Sequence, residues 1–165
     1  MGYSAKAVAN YFLSKYGKEG IDPLKIQKLT YLAHGWYMAH YHDPLVDDEA
    51  PEVWKRGPVF PTLYQEFKHR GWRPILELAT EWNDDMKLFA PRVSPNDIRT
   101  LKLLDKIWET YGDETGLQLS ARCHIPDSPW DKARKENLGI RNANISQDSI
   151  RNYYCGLLDR SRNRD

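Results

Sequence analysis

Apolar positions recur at helical spacing along most of the chain. Ala5, Val8, Ala9, Phe12, Leu13 and Tyr16 fit one face of a helix over residues 4–16, and Gly17 is a natural stop. A stronger signal covers residues 23–41. Asp22 suits the N-cap, Pro23 suits the first helical position, and Pro44 closes the region. At about 100° per residue, Ile26, Leu29, Ala33 and Trp36 make one apolar face, and Leu24, Tyr31, Leu32, Gly35 and Ala39 a second. The polar stripe is narrow: Gln27, Thr30 and His34. A helix apolar on two sides sits inside a domain with neighbours on both. Gly35 costs about 1 kcal/mol against alanine within a helix, and close approach of another backbone is one reason to carry that cost.

Beyond this helix, residues 43–52 hold five acids and no base, which reads as a solvated connection or as an acidic patch for a basic partner. Val53 and Trp54 start a short extended segment or a last helical turn. Gly57 and Pro58 signal a turn, and Pro58 and Pro61 exclude a central strand. Pro61 or Thr62 opens a third helix with Leu63, Tyr64 and Phe67 towards the core. Residues 72–91 read as irregular with a small hairpin, and Leu88 and Phe89 return to the core. Ser94 and Pro95 open a helix carrying Ile98, Leu101, Leu104, Ile107, Trp108 and Tyr111. A shorter helix follows over 114–124, then a turn or two from Pro129, a polar loop over 134–144 and a last helix capped by Ser146. The sum is an all-α fold. It is a single compact bundle of about six or seven helices around a buried central helix, with at most a small β-hairpin. Residues 1–158 form one domain and 159–165 a flexible tail.

Composition adds to this picture. The net charge of +1 does not favour the chain as a whole binding a polyanion, although residues 132–165 hold eight bases against four acids. Those bases are spread through loop and helix without a recognition-helix pattern, so a solvated basic face is the better reading than a nucleic-acid surface. Six Trp and ten Tyr supply core volume or flat patches for partners. Core is the default for Trp36, Trp54, Trp72, Trp108 and Trp130, and an exposed one near Gly57 and Pro58 is a candidate partner anchor. No apolar run is long enough to cross a bilayer, and no apolar targeting segment opens the chain. Cys123 and Cys155 make neither a disulfide framework nor a metal motif, which points to a reducing cytoplasm.

Chemistry is hard to find. His40 and His42 beside Asp43 resemble a fragment of a metal site, but the spacing lacks i, i+4 geometry and no third ligand is fixed. Cys123 and His124 are adjacent on a helix and point about 100° apart, so they do not pair as nucleophile and base. There is no phosphate loop, nucleophile elbow or paired-carboxylate signature. The reading is a binding protein rather than an enzyme, with no catalytic residue, cofactor or metal.

Three ordered segments carry a resemblance. Residues 24–33 read L-K-I-Q-K-L-T-Y-L-A, with Lys28 and Tyr31 at the marked positions of an "L-x-x-x-K-L-x-Y-x-A" core. Residues 53–67 fit "A-W-x-x-G-P-V-x-P-x-x-Y-x-x-F" through Trp54, Gly57, Pro58 and Tyr64, with Lys55 after the Trp and Val53 where Ala is usual. His124 and then Pro129 and Trp130 fit "L-x-x-x-x-H…P-W". Over roughly residues 5–158 the chain resembles the Panacea domain family, the SocA-like antitoxin domain found in bacterial and phage proteins such as the GepA group. The resemblance implies a helical domain that neutralises a cognate toxin, encoded next to it, by direct protein–protein contact in the bacterial cytoplasm. The alternatives on the same scaffold are a protease adaptor that delivers its client to a cellular protease, and a phage anti-defence protein. A nucleic-acid-binding regulator ranks below these. The family-motif residues Lys28, Tyr31, Trp54, Lys55, Gly57, Pro58, Tyr64, His124 and Trp130 then have mainly architectural roles, with room for partner contact. Lys28 is expected to lay its stem over apolar surface and set its ammonium on a buried carbonyl or on an acid from 47–52. Trp130 is expected to pack beside His124.

Overall fold

Helix α2, Pro23–Tyr41, is the axis. Asp22 caps it by accepting from the Lys25 N–H at 2.9 Å, and Pro23 occupies its first turn. Every residue from 26 to 35 is buried. The polar stripe is therefore interior as well, and each of its members is bonded inside the protein. Thr30 Oγ1 donates to the Ile26 carbonyl at 2.8 Å, while Gln27 and His34 hold chain segments described below. Gly35 does admit a close neighbour, but it is a ring rather than a backbone: a Cβ there would lie 2.4 Å from Tyr154.

The computed structural model describes residues 2–164. Around α2 stand α1 (Ala5–Tyr16), α3 (Pro61–Phe67), α4 (Ile98–Tyr111), α5 (Gly116–Cys123), α6 (Pro129–Glu136) and α7 (Gln147–Arg162). Five of these pack on α2 directly, and α6 reaches the bundle through α7 and the first hairpin. That hairpin pairs β1 (Glu52–Trp54) with β2 (Gly57–Val59), and a second pairs β3 (Glu81–Trp82) with β4 (Leu88–Phe89). The architecture is the mostly helical bundle expected, with one hairpin more.

Several local expectations need correcting. Helix α4 starts three residues after Pro95, because Asp97 makes the stronger cap. Its carboxylate accepts from the Thr100 N–H and hydroxyl and from the Tyr3 hydroxyl at 3.1, 2.7 and 2.9 Å. The span Ser94 to Asp97 is only a turn. Helix α7 continues to Arg162, through residues the sequence assigned to the tail. Tyr64, Leu88 and Phe89 do not face the core and are 39%, 54% and 43% exposed. The base of the second hairpin is nonetheless firmly seated. Asn10, buried on α1, donates to the carbonyls of Ala79 and Pro91 at 2.9 Å each and accepts from the Ala79 N–H at 2.7 Å.

Candidate partner-binding groove

The β1–β2 hairpin is built from below. Its two-residue turn, Lys55 and Arg56, projects into solvent, and Gly57 closes it at φ +107°, a conformation that favours glycine. Beneath it, Lys28 is fully buried and its Nζ donates to the Pro58 carbonyl at 2.6 Å. The carbonyl was one of two partners expected, and the nearby acids are occupied elsewhere. Asp47 accepts from the Gly2 N–H at 2.8 Å, Glu49 from the Thr62 N–H at 3.2 Å, and Glu52 from Trp54 Nε1 at 2.7 Å. Ser120 of α5 donates its hydroxyl to the Arg56 carbonyl. From α6, Trp130 Nε1 donates to the Trp54 carbonyl at 2.8 Å. The Trp130 ring lies 5.3 Å from that of His124, as expected. Gln27 continues the arrangement past β2. Its side-chain amide donates to the Phe60 carbonyl and accepts from the Phe60 N–H, both at 3.0 Å, as a paired strand would.

Burial sets the electrostatics of this underside. Removal from water pushes the Lys28 ammonium down to about 8 and the neighbouring Cys123 thiol up to about 12. Cys123 is thus held as a neutral thiol. Burial also raises the Tyr31 phenol, whose hydroxyl has no hydrogen-bond partner among the described residues.

His34, further along α2, accepts from the Val46 N–H at Nδ1 (3.1 Å), so its proton sits on Nε2 and is donated to Gln147 Oε1 at 2.7 Å. Burial lowers its pKa to about 4 against the opposing effect of that Gln147 bond. The unfolded chain therefore binds this proton at a higher pH than the folded one. Stability should fall as pH drops from about 6.5 towards 4, by at most about 3 kcal/mol from this group. In NMR the His34 ring should show no titration between pH 6.5 and 5; a midpoint near 6.5 would contradict the burial argument.

Above this support lies an open groove of about 340 Å³ between the first hairpin, the start of α2 and α3. Val59, Leu63 and Phe67 line it as buried apolar residues. Trp54 and Tyr64 form one wall, with ring centroids 4.6 Å apart. Trp72, 61% exposed, forms another, and the Arg56 guanidinium stacks over it at 4.3 Å. Of the nine residues named from sequence, Trp54, Lys55 and Tyr64 thus meet on the groove, while Lys28, Gly57, Pro58, His124 and Trp130 hold it from behind. Tyr31 stands deeper, with its ring 6.2 Å from that of Tyr154. Sequence reasoning missed Arg56, Lys68 and Trp72 as groove residues. The only signal was that an exposed tryptophan near the 57–58 turn is a candidate anchor.

The motif segments that build the groove have counterparts in known proteins. Residues 26–131 match the family described as "Antitoxin SocA-like, Panacea domain". The chain is 33% identical over 129 residues to Antitoxin SocA of Caulobacter vibrioides (strain NA1000 / CB15N), an alignment covering 77% of this chain and 68% of that protein. No solved structure matches. The matched span takes in most of the central helix, the whole first hairpin, α5 and the start of α6 with Trp130, and the chain belongs to the SocA-like antitoxin, Panacea domain, family.

Proposed function

We propose that this protein acts as an antitoxin by binding a cognate toxin directly and masking it, without chemistry of its own. One observation carries the reading. The segment that marks the family is spent on presenting an open aromatic groove, supported from beneath by a buried lysine and a tryptophan donor. Half-exposed aromatic residues over an apolar floor are the usual anchors of protein interfaces. A stable complex of this kind buries about 1,600 Å² in total, so the groove is its centre rather than its whole extent.

The test is co-expression with the product of the neighbouring gene in a bacterial host. The expected outcome is arrested growth with the neighbour alone, restored growth with both, and one complex in size-exclusion chromatography. Restored growth with no complex at micromolar concentration would exclude direct masking, and a harmless neighbour would remove the proposed partner.

A further inference from the structure

The rim of the groove carries one sign of charge. Lys55, Arg56 and Lys68 line it, all three are exposed, and among the described residues no carboxylate lines it with them. Among the described residues none of the three forms an ion pair. Acids close in sequence are already engaged: Glu66 pairs with Lys6 at 3.0 Å, Glu77 pairs with Arg70, and Glu52, behind the Trp54 wall, accepts from the Trp54 indole N–H. The floor is apolar and Trp72 stands exposed at the edge. An apolar floor with an unbalanced cationic rim complements one kind of ligand.

We infer that the groove takes an amphipathic segment of the toxin in which apolar side chains enter between Trp54, Tyr64 and Trp72 while carboxylates meet Lys55, Arg56 and Lys68. This rests on the reading of the protein as a directly binding antitoxin and adds the chemistry of what is bound. The apolar contact supplies most of the affinity. Exposed ion pairs contribute little each, so the rim selects the sign of the segment by about tenfold rather than a thousandfold.

The probes are two short fluorescein-labelled peptides, one alternating leucine with glutamate and one alternating leucine with lysine, read by fluorescence anisotropy against the full chain at low salt. The glutamate peptide is expected to bind at least about tenfold more tightly, with the difference narrowing as salt is raised. The double change K55E/K68E should abolish or reverse that preference, and Trp72→Ala should weaken both peptides. All these positions are exposed, so the variants should keep the wild-type circular dichroism. Equal binding of the two peptides, no binding, or binding indifferent to the variants would overturn the inference. So would a concentration-dependent dimer lost in Trp72→Ala, since the occupant would then be a second copy of this chain. Co-expression separates the two levels. Rescue by wild type that survives in the groove variants removes the groove and leaves the antitoxin reading. Absence of rescue by wild type removes that reading and leaves the peptide result standing.

Discussion

Gly57→Val is expected to leave the protein without a cooperative thermal transition. At φ +107° a β-branched residue is strained, and a Cβ there would lie 3.2 Å from both Cε and Nζ of Lys28, with His124 Nδ1 at 3.7 Å. Lys28 cannot yield easily, since its ammonium is fixed on the Pro58 carbonyl in a fully buried site. The backbone strain costs about 1–3 kcal/mol. Overpacking adds a further ~1–3 kcal/mol. Together these approach the lower end of the stability of a typical domain, about 5–15 kcal/mol. Alanine meets the same φ with less bulk, so Gly57→Ala should still fold, with a Tm lower by roughly 2–12 °C. Far-UV circular dichroism with thermal melting of both variants checks this. A Gly57→Val protein that melts like wild type would show that the turn does not organise the hairpin.

Much of the fold was legible because its signals were local. Asp22 followed by Pro23, Ser146 and the glycine stops each act within one turn of helix, and the helix ends they mark are where the pattern placed them. Errors arose where a tertiary bond outweighed a local one. Ser94 and Pro95 make a plausible helix start, but Asp97 also takes the Tyr3 hydroxyl from the far end of the chain, and that bond has no trace in the local pattern. The polar stripe of α2 misleads in the same manner. Gln27 and His34 are polar because each pairs with a backbone group that arrives from another segment, Phe60 in one case and Val46 in the other.

The groove was legible in part. Motif residues named Trp54, Lys55 and Tyr64, but Tyr64 was placed in the core because its spacing from Leu63 and Phe67 looked helical and apolar. It faces outward because Trp54 of the first hairpin occupies its side of α3, at 4.6 Å between ring centroids. Lys68 lies at the end of the third helix with nothing in its pattern to mark it, and Trp72 opens a stretch with no clean periodicity; only the packing of that stretch against the hairpin turn brings Trp72 under Arg56. The groove is therefore a joint product of motif and placement: the motif residues Trp54, Lys55 and Tyr64 share its lining with Arg56, Lys68 and Trp72, which the motif does not mark.

Lys28→Met should change the pH dependence of stability more than stability at neutral pH. In wild type the folded state releases the Lys28 proton near 8, well below its ordinary 10.5, because burial disfavours the charge. Between these two values the unfolded chain holds the proton and the folded protein does not. Raising the pH through that window therefore stabilises the fold relative to its state at pH 7, by up to about 3 kcal/mol from this residue. The neutral amine still has an N–H for the Pro58 carbonyl, so nothing is lost from the hairpin. Methionine fills a similar volume and removes the desolvation cost, but leaves that carbonyl without its donor, which costs about 1–3 kcal/mol. At pH 7 the two effects nearly offset. Towards pH 10.5 wild type gains and the variant does not, so the variant should become the less stable of the pair by roughly 1–3 kcal/mol. Urea unfolding of both proteins at pH 7 and at pH 10 measures the difference directly, and other titrating groups cancel in the comparison. Parallel behaviour of the two across that range would mean that Lys28 titrates in the fold as it does in water, and that the hairpin does not rest on a desolvated ammonium.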